Sequence, residues 1–505
     1  MTSVAIPEPA VGPASAAPAR ASLDKGLRAG ALGLISSVVI AVSSTAPAYS
    51  MAATLGLIVA VVGVHSPGTL IVSFLPMLCI AYAFRELNKA DPDCGITFTW
   101  AARAFGPRTG WMGGWGIIAA DVIVMASLSQ IAGRYALLVV GADAAAASTV
   151  WVTAVGVAFI VVLTWVCYRG IEVSARLQQV LLAIEVGALT VFAVVALVKA
   201  ATGHALPGAA HPSAGWLSPW TGSFGSLSNS FLLAVFIYWG WDCALSVNEE
   251  TKDSARTPGR AAVIATLMLV AIFAVISAAS LAYAGPAFLA AHSTDVLGAM
   301  ASSVLGSTPG RLLVLCVLTS TAASAQTTIM PTARAVLAMS VHRALPAVLA
   351  RTHPRYRTPT VATLAMGAAS ALFFVLLTAV SRNVLADSAA SVGLLIAFYY
   401  GLTGFACVWF FRRDLLTSAH ALLVKGILPL VGGLTLLGAF VLSVKSYWPA
   451  ASSYSSFHGI GGIFLIGVGS LVIGVIVMLV TSRFLPRYFA DGIPAPARGE
   501  GSTAI

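Results

Sequence analysis

Apolar stretches long enough to cross a bilayer follow one another along nearly the whole chain, and they leave little choice of fold. They run, within a few residues at each end, over 31–62, 68–84, 111–140, 150–168, 177–198 and 226–247. They continue over 261–285, 311–341, 361–380, 390–411, 427–446 and 460–482. A helix needs roughly 17 to 25 such residues to span hydrocarbon, and lipid admits only structures that satisfy their own backbone groups. With 58% hydrophobic and 9% charged residues, the 505-residue chain lies far from soluble usage. The pattern predicts an all-α membrane protein with twelve transmembrane helices.

Basic residues set the expected orientation. Of 28 Lys and Arg, all but Arg134, Lys199, Arg311, Arg382 and Lys445 fall on one side if the spans alternate, and that side is expected to be cytoplasmic. Both termini then lie in the cytoplasm of a multi-pass protein of the cell (cytoplasmic) membrane. Residues 1–25, rich in Ala and Pro, read as a disordered cytoplasmic N-terminal tail and not as a cleaved signal peptide. Residues 486–505 read as a second such tail. The net charge of +10 follows from this topology, with no basic patch of the kind that binds nucleic acid.

Several chemistries find no motif. The six cysteines show no C-x-x-C spacing, and the eight histidines form no H-E-x-x-H pair. A phosphate loop and a G-x-S-x-G elbow are also missing from the sequence. The expectation is a protein without metal or cofactor, not an enzyme, whose work is driven by gradients.

Two spans are interrupted at their middles. The first carries Ser43 to Ser50 (SSTAPAYS), hydroxyls around Pro47, and the sixth carries Gly240 and Asp242 within a membrane-length run. Freed backbone groups and ionisable side chains persist in hydrocarbon only where they face protein or a polar cavity. Broken helices at matching places in two halves of a chain point to a secondary transporter's binding site. Amides at the start of a half-helix suit a carboxylate, and exposed carbonyls at an end suit an ammonium group.

The loops then carry a resemblance. Asn248 to Ala262 (NEETKDSARTPGRAA) resembles the EE-x-K-x-P-x-R signature after the sixth helix of amino acid–polyamine–organocation (APC) permeases. Pro331 to Pro346 (PTARAVLAMSVHRALP) and Thr352 to Pro359 (THPRYRTP) are similar to that family's eighth-helix exit and following loop. The resemblance implies a LeuT-like 5+5 inverted repeat plus two accessory helices. Residues 26–200 would form the first repeat, 226–411 the second, 412–485 the accessory pair and 486–505 the tail. It further implies that Ser43, Ser44, Thr45 and Ala46 offer donors to a substrate carboxylate. Carbonyls of Phe236, Ile237, Tyr238 and Trp239 would receive an amine, beside Gly240, Trp241 and Asp242. Many members carry a glycine triplet in the first break, where this chain has Ser43-Ser44-Thr45-Ala46-Pro47. That difference leaves amines, polyamines and modified amino acids open beside standard amino acids.

Three acids lie at membrane depth, where charge is costly. Asp242 reads either as a structural acceptor for freed amides or as a substrate-amine or proton site, and related permeases tie an acid here to proton-dependent transport. Glu185 stands where many relatives place a lysine; it reads either as a proton or cation site or as an acid paired with a polar neighbour on the first or eighth helix. Asp121 reads as a partner for a distal amine or as a packing acceptor for Tyr or Trp. Trp239 and Trp241 are candidate gate residues, more so than Tyr399 and Tyr400. Glu249, Glu250, Lys252, Arg256 and Arg334 are expected in or near cytoplasmic water as a latch of weak ion pairs.

The function these features predict is secondary active transport of an amino acid or related organic amine, proton-coupled or by exchange. A polyamine or alkylamine permease is the alternative if Asp121 and Asp242 share a pocket. A non-transporting amino acid sensor on the same fold is another.

Overall fold

A computed structural model describes residues 25–494 except 222 and 382. The described chain is helical nearly throughout. In order come α1 (Leu34–Thr45), α2 (Pro47–Val62), α3 (Ser66–Ala90), α4 (Thr97–Phe105), α5 (Pro107–Val139), α6 (Asp143–Ala146), α7 (Thr149–Arg169), α8 (Ile171–Ala201), α9 (Phe224–Ile237) and α10 (Cys243–Ser246). Then follow α11 (Thr257–Ala291), α12 (Val296–Leu305), α13 (Ser307–Val341), α14 (Thr360–Val380), α15 (Val384–Phe410), α16 (Ala419–Ala421), α17 (Leu428–Tyr447), α18 (Gly462–Phe484) and α19 (Pro486–Asp491). The strands among the described residues are a two-residue pair, Ser456–Phe457 with Ile460–Gly461.

Ten of these helical runs are long and apolar enough to cross a membrane, and the first is a 57-residue stretch from Leu34 to Ala90. The protein is therefore an all-helical, multi-pass membrane protein. Helices α3, α5, α11, α13 and α15 pack against one another and against α1, α2 and α9 at the centre. Around them α7, α8, α14, α17 and α18 turn large apolar side chains outward, among them Trp165, Ile184, Leu376, Val441 and Ile476. Such a surface is suited to lipid and not to water.

Pro47 explains the first interruption. It has no N–H to continue the ladder of α1, and its ring disfavours a right-handed helical conformation for the residue before it. Ala46 takes the left-handed conformation (φ 48°, ψ 70°), and Pro47 starts α2 at the position where a missing N–H costs nothing. The second interruption spans the turn between α9 and α10, where Gly240 has φ +119°.

Both ends of the described chain are docked. Lys25, placed at the edge of a disordered tail by sequence, is buried and paired with Asp93 and Glu249. Leu32 bonds through its N–H to Glu250 and through its carbonyl to the N–H of Lys252, tying the segment before α1 to the loop before α11. Residues 486–494 depart from the expected loose tail. Tyr488 of α19 is buried, stacks on Phe98 at 5.6 Å between ring centres and donates to the Pro107 carbonyl at 2.8 Å. A tyrosine with an apolar shelf and an acceptor in reach has reason to stay there. The remainder of the two predicted tails lies outside the described residues.

Candidate functional site

The two interruptions touch. A Cβ on Gly240 would stand 2.9 Å from the Ser44 carbonyl carbon and the Thr45 nitrogen, so the second break rests on the first through bare backbone. Ser44 lies at the end of α1, and its carbonyl accepts from Ser324 of α13 at 2.7 Å. Prolonging that side, Pro331 inside α13 has no N–H for the Thr327 carbonyl, which instead accepts from the Cys243 thiol at 3.1 Å. Three helices are thus joined where their regular ladders fail.

Beside this junction is a cavity of about 20 Å³. Ser44, Trp239, Gly240 and Asp242 form one side, Asp121 and Ile117 of α5 another, Thr327, Thr328 and Pro331 of α13 a third, and Tyr399 of α15 completes it. A space of that size accommodates about one water. Both acids face it and both are buried.

Hydrogen bonds orient the acids without neutralising them. Trp239 Nε1 donates to the Tyr399 hydroxyl, which donates to Asp242 Oδ2 at 3.0 Å. Thr332 donates its hydroxyl to Asp121 Oδ2. The expected Tyr or Trp partner of Asp121 is thus a threonine, because Asp121 points at α13, one turn from Thr328. Among the described residues no Lys or Arg pairs with either carboxylate. A cavity with two acids and no resident cation is chemically suited to an ammonium group or to protons.

Glu185 lies apart from the cavity lining, at the start of α2. Its Oε1 accepts from the Ala48 amide at 2.8 Å and from the Ser320 hydroxyl at 2.6 Å, and Ser320 accepts from the Tyr49 amide at 3.3 Å. These amides lack partners within α2, so a carboxylate from α8 caps the half-helix where its dipole is positive. Glu185 thus bonds a backbone amide of α2 and the Ser320 hydroxyl of α13.

Other candidate residues stand elsewhere. Ser43 is buried off the cavity, and Thr45 donates to the Ala41 carbonyl at 3.1 Å. The Ala46 amide closes the end of α1, and the Phe236 carbonyl accepts from the Trp239 amide at 3.1 Å. Ile237 is packed away from the cavity, and Tyr238 turns outward to the Leu70 carbonyl at 3.1 Å. Trp241 points away as well, packing edge-on to Phe84 at 5.2 Å and beside Tyr400 at 5.0 Å. Tyr399, which linear order ranked below Trp241, lines the cavity and donates to Asp242. The tenth span offers two adjacent tyrosines, and only the helix rotation decides which faces inward.

Two of the five loop charges depart from the expectation. Arg334 and Glu250 do not sit in water: both are buried, with the guanidinium forked onto the two carboxylate oxygens and Nη1 donating to the Met330 carbonyl at 3.0 Å. Nearby, Lys25 Nζ lies 2.9 Å from Asp93. Burial works against the Lys25 charge, but the surrounding Cys94, Asp93 and Glu249 outweigh it and hold the ammonium above the usual lysine range. Burial would likewise raise Asp93, and Lys25 with His342 outweighs it and holds the carboxyl well below the usual range. Asp93, Cys94 and Glu249 are the one group among the described residues close enough to hold a metal ion, and the Lys25 ammonium already sits among them.

Gly240→Ala is expected to force the two breaks apart, since its φ is unfavourable for alanine and the new methyl meets backbone. The cost should be about 1–3 kcal/mol of strain, read as a lower unfolding temperature of the purified protein. An unchanged melt would show that the contact is slack.

With this geometry in place, comparison with known proteins defines the class. A family model described as amino acid permease matches residues 32–468. The chain belongs to the amino acid permease family, within the APC superfamily that its loops resemble. An uncharacterized transporter of Mycobacterium tuberculosis (strain ATCC 25618 / H37Rv) is 30% identical over 294 residues, 57% of this chain and 61% of the relative. The branched-chain amino acid permease BcaP of Bacillus subtilis is 24% identical over 321 residues, 60% of this chain and 65% of that protein. BcaP of Lactococcus lactis subsp. cremoris is 23% identical over 210 residues, 39% of this chain and 44% of that protein. The match thus spans less than two thirds of each of these relatives.

Proposed function

We propose that the protein is a secondary active transporter that carries an amino acid or related organic amine across the cytoplasmic membrane by alternating access, coupled to protons or as an exchanger. In this reading the chain crosses twelve times. The 57-residue run divides at Gly63–His65, and the broken α9–α10 segment, each half too short alone, adds a further crossing. Residues 26–200 and 226–411 are inverted repeats of a LeuT-like fold, 412–485 are accessory helices, and the Lys25 face with both termini is cytoplasmic.

The observation that carries this reading is the backbone contact of Gly240 with Ser44 and Thr45 at the edge of a cavity holding Asp242. Two half-helix junctions meeting beside an acid that lacks a paired cation form a place for a small nitrogen-bearing solute. At about 20 Å³ the cavity is too small for an amino acid, so substrate enters as the helices around the junction move apart. The names of the BcaP relatives favour an amino acid. A polyamine or alkylamine is favoured by a separate observation, that Asp121 and Asp242 line the same cavity.

Purified protein in proteoliposomes separates these readings. Labelled branched-chain amino acids and labelled diamines are offered with and without a pH gradient. Flux of either identifies the substrate class; ligand-induced stabilisation with no flux of any substrate would replace transport by sensing.

Glu185 is assigned to coupling in the same reading. Glu185→Gln keeps an acceptor for Ala48 and Ser320, so a capping role alone should survive it. We expect the variant to fold and bind substrate but to lose about fivefold or more of its gradient-driven accumulation, the lower range of typical coupling energies. Glu185→Lys would place an ammonium against amide donors and is expected to be worse. Full accumulation by the Gln variant would reduce Glu185 to a cap.

A further inference from the structure

We propose that a pocket at the membrane face opposite Lys25 binds a phosphate group, supplied either as the phosphodiester of a bilayer lipid or as a free anion. The pocket, about 340 Å³, lies between the end of α5, the short α6, the start of α7 and the end of α14. Its volume is in the range of small-ligand sites, about 300–1,000 Å³.

The cavity follows from how α5 and α7 pack. A Cβ on Gly133 would come 2.3 Å from the Val152 carbonyl oxygen, and one on Gly156 would come 2.7 Å from the Ser129 oxygen, so the two helices are in near backbone contact there. Above that pinch the chain leaves α5 and passes through α6 before α7 begins, and the gap is not refilled.

Its polar groups favour an anion with a cation attached. Arg134 lines the pocket and, among the described residues, makes no hydrogen bond and no ion pair. The acid that feels its charge, Asp295, is already engaged by the Tyr135 hydroxyl and the Gly298 amide. Ser148 and Thr149 open α7, no side chain caps that helix, and its first-turn amides have no partner within it. A guanidinium fork beside a helix start is apt for phosphate. Asp143 also borders the pocket and would repel a bare anion, but it suits the ammonium of a zwitterionic headgroup. Val140, Val150, Trp151 and Val380, all strongly exposed apolar side chains, sit at these same helix ends, the depth at which headgroups meet acyl chains.

The test uses the full chain in detergent and its thermal unfolding. Phosphatidylethanolamine, a diacylglycerol without phosphate, and inorganic phosphate are titrated against wild type, Arg134→Gln and Arg134→Lys. Phosphatidylethanolamine should stabilise wild type while diacylglycerol does not, and Arg134→Gln should bind about tenfold more weakly or worse through loss of a charged hydrogen-bond donor. Arg134→Lys, which keeps charge but loses the fork, should fall between and guards against a folding defect. Stabilisation by inorganic phosphate equal to that by the lipid would support the phosphate site and assign it to a free anion. Diacylglycerol matching the phospholipid, an undiminished response in Arg134→Gln, or no response to any phosphate compound would overturn the proposal.

Discussion

Asp242→Asn is expected to lower uptake by about thirtyfold or more while the protein still reaches the membrane and melts near the wild-type temperature. Asparagine keeps an oxygen that can accept from Tyr399, whose hydroxyl lies 3.0 Å from Asp242 Oδ2, so the substitution removes charge and little else. If a substrate ammonium or a transported proton uses that carboxylate, the loss is that of one partner of a buried charged interaction, about 2–5 kcal/mol. At 1.4 kcal/mol per factor of ten this gives the thirtyfold figure as its lower end. The measurement is initial-rate uptake in proteoliposomes at several pH values. Residual flux that no longer responds to pH would assign Asp242 to proton coupling, and weakened substrate binding at every pH would assign it to the amine. Uptake and pH profile both matching wild type would remove Asp242 from the mechanism.

Much of this site can be read from linear order because its signals are violations of the rules for lipid-embedded helices. Pro47 must interrupt a ladder wherever it falls in a span, and Gly240 beside Asp242 marks a segment that hydrocarbon alone would not select. Asp121, Asp242 and Glu185 stand out for the same reason. Rotation about the helix axis is not available from such signals. Trp239 and Trp241 lie in one turn region, as do Tyr399 and Tyr400 on α15, and an apolar sequence on all sides gives no face to orient. The structure turns Trp239 and Tyr399 to the cavity and packs Trp241 beside Tyr400, whose hydroxyl also lies near Asp242. Partners distant in sequence were equally hidden: Thr332 for Asp121 and Ser320 for Glu185 are ordinary hydroxyls on a long helix, 211 and 135 residues away. Hydropathy separates twelve apolar stretches, whereas ten helical runs qualify by length, because the first run is continuous through Gly63–His65 and the α9–α10 segment is divided into short halves.

Arg334 shows the opposite failure, a charge in a loop-like motif that belongs to the interior, and it supports the largest expected effect on stability. Its guanidinium and the Glu250 carboxylate are both almost wholly shielded from solvent, at 2% and 1% side-chain exposure. A pair so enclosed differs from a surface latch. Removing one partner leaves the other charged, buried and unmatched, which typically costs about 3–5 kcal/mol. Arg334→Met should therefore sharply reduce the folded fraction that survives mild heating in detergent, and Glu250→Leu should do the same. The double variant is the informative one, since replacing both partners by apolar groups of similar volume is often neutral. If Arg334→Met with Glu250→Leu melts near wild type, the pair is not what holds the fold together. Its use would then lie in specificity, fixing α13 against the loop that also receives the backbone of Leu32. In that case transport should remain impaired in the stable double variant, because the Lys25 segment, the loop before α11 and the end of α13 would no longer move as one. A double variant as unstable as the singles would show that the charges themselves are required for folding. Single variants that melt like wild type would mean that water reaches the pair.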